Sequence, residues 1–269
     1  MKTERVATDG TRLMTHTWNP SGSPRSVIVI VHGLAEHGGR YEHVAALLTG
    51  RGHAVRATDL RGFGESTGPR AFVKSWDDYL DDLAADLESA RAAGVPVVLL
   101  GHSMGGLVAL SYALSDRPKP DSLVLSAPAV DADVSAAKKL AARVLGVIFP
   151  KASVKNELRG DQLSRDPSVG ERYFADPLVH TRTTLALGRN ALKAGDWCRA
   201  NLASLAIPTL VAHGGADTIV PTEVSAPLGL VAGVERIVLP EFRHEILNEE
   251  RGVPATTRIA EWIEARLYR

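Results

Sequence analysis

The sequence predicts an α/β fold in which a mostly parallel central sheet with an antiparallel start carries flanking helices and one inserted helical segment. Three observations predict it. Runs such as Ser26–Val31 and Val95–Leu100 are continuously apolar, as in strands buried on both faces of a parallel sheet. Segments of helical period separate these runs, which is the alternation of a doubly wound sheet. Between Pro128 and about Asn201 the β-runs stop and only helix-like pieces remain. We therefore expect a core of residues 1–128 and 202–269 and a helical cap (lid) of residues 129–201.

The elements follow in order. Residues around Glu4–Ala7 and Leu13–Trp18 flank Asp9-Gly10, a hairpin signal, so the chain opens with two antiparallel strands. The breaker Asn19-Pro20-Ser21-Gly22-Ser23-Pro24 separates them from the first parallel strand, Ser26–Val31. A helix over Tyr41–Leu48, a strand over His53–Ala57 and a helix over about Trp76–Ala92 come next, the last with Ser75 and Asp78 as a capping box and Leu80, Leu83, Ala84 and Leu87 inside. Strands Val95–Leu100, Ser122–Leu125, Thr209–His213 and Glu235–Leu239 complete the sheet. In the cap, helices are expected over Val134–Phe149 and Leu185–Trp197. The first sets Val134, Ala137, Leu140, Ala141, Val144, Leu145 and Ile148 at helical spacing, with Lys138, Lys139 and Arg143 elsewhere on the wheel. The plainer expectation packs this stripe on the domain below; the alternative turns part of it toward an acyl-chain tunnel or a membrane surface.

Composition narrows the function classes. At 269 residues and 45% hydrophobic content the chain can bury a large core, and its 31 acidic and 31 basic residues supply no electrostatic drive toward nucleic acid. The single Cys198 can form no internal disulfide and has no neighbours at metal-ligand spacing. Met1–Arg5 lacks an apolar signal-like segment, and the longest apolar run, Val27–Val31, is too short to span a bilayer. The expectation is a soluble, cytoplasmic protein, with peripheral membrane contact through the cap as its only membrane association.

The chemistry starts at Gly101-His102-Ser103-Met104-Gly105, which joins the strand ending at Leu100 to the helix-like Gly106–Tyr112. A strand, sharp turn and helix with a serine at the apex raises the hydroxyl above the sheet, and side chains at the two glycines would collide where strand and helix approach. A serine hydroxyl needs a base and an orienting acid to attack a carbonyl. Among nine histidines, His244 follows the last strand in Glu241-Phe242-Arg243-His244-Glu245, whereas His32 and His102 are tied to their own strand ends. Asp217 follows the strand before it in the turn Gly214-Gly215-Ala216-Asp217; Asp131 and Asp133 are its rivals, and Asp59 reads as an anchor for the loop Arg61–Ser66. The backbone N–H of Met104 and that of Leu34, after His32-Gly33, are the expected oxyanion donors, unless Gly33 merely permits a turn.

Taken together these residues resemble the monoacylglycerol lipase family of the α/β-hydrolase superfamily, a family of serine hydrolases with the lysophospholipases beside it. The likeness covers nearly the whole chain and rests on His32–Tyr41, Asp59–Ser66, Gly101–Gly106 and the cap segment from Ser164-Arg165-Asp166-Pro167 through Tyr173 to Asp176-Pro177-Leu178. The order Ser103, Asp217, His244 is that of α/β-hydrolases. The resemblance implies hydrolysis of a fatty-acyl ester without metal or organic cofactor, an acyl channel under the cap, and a glycerol pocket at Glu36, Arg40, His102 and Tyr173. The segment Arg243–Glu249 resembles bacterial lysophospholipases at least as much, so both headgroups stay open.

Overall fold

The hairpin expected around Asp9-Gly10 is formed by β1 (Lys2–Val6) and β2 (Arg12–Trp18), paired antiparallel. The structure is a computed structural model that describes residues 1–131 and 135–267; Asp133, Val134 and the side chain of Lys138 lie outside the described residues. Along the chain follow β3 (Val27–Val31), α1 (Glu42–Gly50), β4 (Ala54–Thr58), α2 (Trp76–Arg91), β5 (Val97–His102), α3 (Met104–Leu114) and β6 (Ser122–Ser126). The next segment holds α4 (Ala136–Ile148), β7 (Ser153–Lys155), α5 (Gly160–Leu163), α6 (Pro167–Ala175), β8 (Arg182–Thr184) and α7 (Leu185–Ala200). The chain returns to the sheet with β9 (Thr209–Gly214) and β10 (Val234–Leu239) and ends in α8 (Val253–Leu267).

The main sheet runs β1-β2-β4-β3-β5-β6-β9-β10, antiparallel at β1-β2-β4 and parallel from β4 onward. Period-two alternation divides its core: Val27, Val29 and Val31 of β3 pack with α2, α3 and α7, while Ile28 and Ile30 pack with α1 and α8 on the other face. The Ser75–Asp78 capping box starts α2 as expected, and Leu80, Leu83 and Leu87 are buried on its inner side. All parallel strands point the same way, so the loops after β3, β5, β6, β9 and β10 gather at one carboxyl edge, where ligands bind in open α/β sheets.

Two features differ from expectation. The segment between β6 and β9 carries a short antiparallel pair, β7 with β8, where no strand was foreseen. Three-residue strands are too short to leave a periodic trace in the sequence. The second difference is the direction of α4. Its apolar stripe faces outward: Leu140, Val144, Val147 and Ile148 are 61%, 48%, 62% and 59% exposed. The reason is that α4 docks through its small residues. A β-carbon on Gly146 would come within 2.6 Å of the Leu185 carbonyl oxygen, so the glycine lets α4 lie directly on α7, and ion pairs Lys139–Asp131 and Arg143–Asp196 flank the contact.

Candidate active site

Ser103 caps α3 with φ 53° and ψ −118°, a backbone region that a non-glycine residue occupies only when its surroundings force it. The forcing is visible on both sides. A β-carbon on Gly105 would lie 2.1 Å from the Val31 carbonyl oxygen, and one on Gly101 would lie 2.3 Å from the Gly105 carbonyl oxygen. The Ser103 N–H donates to Ser126 O (2.9 Å), and its carbonyl accepts from Ala129 N–H (3.0 Å), which locks the turn between β5 and β6.

Loops from three different strand ends converge on that serine. The Ser103 Oγ–H donates to His244 Nε2 (2.8 Å), and His244 Nδ1–H donates to Asp217 Oδ2 (2.7 Å). All three residues are buried, with Ser103 9% exposed. Asp217 Oδ1 accepts the N–H groups of Ile219 (2.8 Å) and Val220 (2.9 Å), and a second imidazole, His213, reaches Oδ2 at 3.2 Å. Burial alone would raise the Asp217 carboxyl, but the hydrogen bonds from His213 and His244 outweigh it and hold it well below the usual carboxylate range. The rival Asp131 pairs with Lys139 (2.7 Å) and Arg199 (3.4 Å) instead. His32 is structural: its Nδ1–H donates to Gly33 O and its Nε2 accepts from Leu60 N–H, both at 2.8 Å. Asp59 accepts Gly38 N–H (2.7 Å) and Glu65 N–H (2.8 Å), anchoring the neighbouring loops.

Ser103 stands between two chambers. On one side a cavity of about 390 Å³ is lined by Leu34, Met104, Leu107, Leu187, Ala191 and Ile219 among others, with the ion-paired Asp131, Lys139 and Arg199 also on its wall. On the other side a chamber of about 70 Å³ is lined by Glu36, His102, Tyr173, His244 and Glu245 together with Leu34, Leu158, Leu163 and Ile219. The first is large enough for an alkyl chain, and the second is small and offers the polar side chains of Glu36, His102, Tyr173 and Glu245, with a buried hydroxyl and imidazole between them. Such an arrangement can pass the serine proton to His244 as Oγ attacks an ester carbonyl. The first N–H groups of α3 have no partner within their own helix, which leaves them free for a developing oxyanion.

The family described as serine aminopeptidase, S33, matches residues 22–251. The monoacylglycerol lipase of Mycolicibacterium smegmatis is 34% identical over 266 residues, 96% of this chain and 95% of that protein. A Bacillus subtilis protein, phospholipase YtpA, is 34% identical over 208 residues, 76% of this chain and 80% of its own. The crystal structure of Paleococcus ferrophilus monoacylglycerol lipase superposes with a TM-score of 0.85 at 32% identity, covering 93% of this chain and 98% of that one. The chain belongs to this family of serine hydrolases. It is a carboxylic ester hydrolase of the α/β-hydrolase fold.

Within this hydrolase the polar residues singled out from the sequence occupy unequal positions. Glu36, His102 and Tyr173 line the small chamber, but Arg40 does not. Arg40 lies behind it, donating to Glu245 at 2.9 and 2.8 Å and pairing with Glu36, with its guanidinium 4.7 Å from the Tyr173 ring centre. Glu36 also accepts Gly33 N–H (2.6 Å) and Tyr41 OH (2.8 Å), and Tyr173 OH donates to Leu34 O (3.4 Å). These bonds fix the turn that presents Leu34, where Ala35 takes a left-handed φ of 70°. Burial, with the neighbouring His244 adding to it, lowers the His102 imidazole to about 4, so that ring is neutral in the working enzyme. Burial would raise the Glu36 carboxyl, yet Arg40 and His102 bring it down to about 2.

Two neighbours of the site carry no sequence signal of their own. His213 sits inside a strand, and a buried histidine there looks like core until its ring is seen against Asp217. Glu245 is marked only by being next to His244. Its side chain closes the chamber and holds Arg40.

Proposed function

We propose that this chain hydrolyses monoacylglycerols to glycerol and a fatty acid through an acyl-enzyme on Ser103. The observation that carries the reading is the position of Ser103 at the junction of a large apolar cavity and a small chamber that carries Glu36, His102, Tyr173 and Glu245. In this mechanism His244 takes the Ser103 proton, Asp217 holds and charge-stabilises the imidazole, and the tetrahedral oxyanion is received by the N–H groups of Leu34 and Met104. His244 then returns the proton to the glycerol oxygen as the C–O bond breaks. Water, activated by the same histidine, attacks the acyl-enzyme and releases the fatty acid. Residues 129–201 act as the cap, its α7 forming part of the acyl cavity wall. The outward apolar face of α4 supports transient docking of that cap on a lipid surface, where substrate is dissolved. No helix among the described residues is long and apolar enough to cross a membrane.

The choice of headgroup rests on charge. A lysophospholipid would need a cation facing its phosphate, but Arg40 is committed to two carboxylates, and Glu36 and Glu245 line the chamber. A neutral glycerol suits these acceptors better. The experiment is a matched panel of monoacylglycerols, diacylglycerols, lysophospholipids, simple esters and an amino-acid anilide, run on the wild type and on Ser103→Ala. We expect monoacylglycerols to be preferred and Ser103→Ala to lose at least a thousandfold in kcat while keeping its fold. Preference for the lysophospholipid or the anilide would overturn the substrate, and a fully active Ser103→Ala would overturn the mechanism.

A further inference from the structure

A cluster of three buried side chains lies apart from Ser103, on the far side of the loop that carries Leu34 and Glu36. His16 of β2, His37 at the start of the 3-10 turn Gly38–Tyr41, and Asp59 just after β4 bring one donor atom each to within 4.8 Å of one another. Their exposures are 5%, 6% and 0%. His37 Nδ1 is a buried nitrogen without a hydrogen-bond partner, and His16 Nε2 has only the Asp59 carboxylate, at 3.2 Å, beside it. A buried orphan nitrogen is costly, and with a second imidazole and a carboxylate within ligand reach it calls for an occupant.

The surroundings point to what it is. His37 Nε2–H donates to Asp176 Oδ2 (2.9 Å), which fixes the tautomer and leaves the buried Nδ1 with a free lone pair. A carboxylate behind an imidazole whose other nitrogen is free is the outer-shell arrangement of metal-binding histidines. His16 Nε2 is 3.2 Å from Asp59 Oδ1, close to the separation of about 3.3 Å between two ligands of one tetrahedral zinc ion. Trp18 stacks on the His16 ring at 5.9 Å and holds its plane. A β-carbon on Gly39 would come within 3.0 Å of the His37 ring and 3.2 Å of the His16 ring, so glycine keeps the space beside both rings open. An Nε2–H tautomer of His16 would meet Asp59 and still leave His37 Nδ1 without a partner.

We infer that His16, His37 and Asp59 form a structural site for a zinc-class divalent ion, with Asp176 as the outer carboxylate and water as the fourth ligand. Two imidazoles and one carboxylate select zinc, cobalt or nickel over magnesium and calcium, which prefer all-oxygen shells. The ion would tie β2 and the loops after β3 and β4 to residue 176 of the segment between β6 and β9, bracing the turn that presents Leu34.

The test uses the intact chain stripped with a chelator and titrated with Zn²⁺ against a chromophoric competitor. We expect one ion per chain, no competition from Mg²⁺ or Ca²⁺, a higher Tm with Zn²⁺, and ligand-field bands of tetrahedral cobalt when Co²⁺ replaces it. His16→Gln should weaken binding at least tenfold and abolish the Tm shift, and Asp176→Asn should weaken it about tenfold. Circular dichroism establishes that each variant is folded, and the Co²⁺ spectrum of the wild type tests the site without any substitution. Failure of the wild type to take up stoichiometric Zn²⁺, an octahedral cobalt spectrum, or equal affinity in His16→Gln would overturn the site. None of these readouts depends on ester hydrolysis.

Discussion

Asp217 accepts from two imidazoles, and the second has its own supports. His213 Nε2 lies 2.8 Å from Val220 O and 3.2 Å from Asp217 Oδ2, both acceptors, so that nitrogen carries the proton; Nδ1 meets Ser225 Oγ at 2.8 Å. His213 is fully buried, so its ring cannot swing away, and in the proposed mechanism it is a positioning residue for the carboxylate that orients His244. His213→Leu removes one hydrogen bond to a buried charge, which is worth about 1.5–3 kcal/mol and should appear as roughly a tenfold to hundredfold loss in kcat with KM nearly constant. His213→Gln, which keeps an N–H donor, should recover most of that loss; equal activity in Leu and Gln variants would show that the ring only fills space. At this scale Ser103, Asp217 and His244 were legible because each follows a strand in a glycine-rich or polar turn. His213 and Glu245 were not, because their roles exist only across contacts that the fold creates. The sequence points Arg40 at substrate because it cannot tell a cation that touches the ligand from one neutralised behind it by Glu36 and Glu245.

The approach of α3 to β3 shows how elements position the site. Gly105→Ala would ordinarily stabilise a helix by about 1 kcal/mol. Here the added carbon would stand 2.1 Å from Val31 O and 2.4 Å from His32 O, both backbone atoms that cannot move without shifting β3. The variant should instead lose roughly 3 kcal/mol or more in denaturant titration, and the displacement would carry Ser103 off His244. A stabilised variant would mean that α3 is not held this closely. The central strands β3, β5, β6 and β9 were legible as elements because burial on both faces makes their apolar runs continuous. The orientation of α4 was not, because an apolar stripe has the same spacing whether it meets a core or a lipid surface. Its small residues, Ala142 and Gly146, occupy the other side of the helix, Gly146 against α7 and Ala142 on the wall of the large cavity. If the outward face docks on lipid, Val147→Glu with Ile148→Glu should lower hydrolysis of vesicle-held monoacylglycerol about tenfold and leave a short soluble ester unchanged. An equal effect on both substrates would count against docking.

For the molecule as a whole, balanced charge leaves stability governed by a few buried titrating groups rather than by net repulsion. His102 falls from 6.5 to about 4 through burial and the nearby His244, and Glu36 from 4.5 to about 2 because Arg40 and His102 outweigh its burial. In both cases the unfolded chain binds the proton first: at His102 between pH 6.5 and 4, at Glu36 between 4.5 and 2. Their contribution is therefore complete above about pH 6.5 and is withdrawn as the solution is acidified, His102 first. Each bound proton steepens the loss by up to about 1.4 kcal/mol per pH unit. Tm should hold steady from pH 8 to 7 and fall progressively between pH 6.5 and 4. His102→Asn, which can keep a hydrogen bond to Ser126, should flatten the limb above pH 4.5 while leaving the steeper fall below it, where Glu36 takes its proton. Parallel curves for the two proteins would mean that the acid limb belongs to other groups, and that the small chamber beside Ser103 tolerates a charged imidazole.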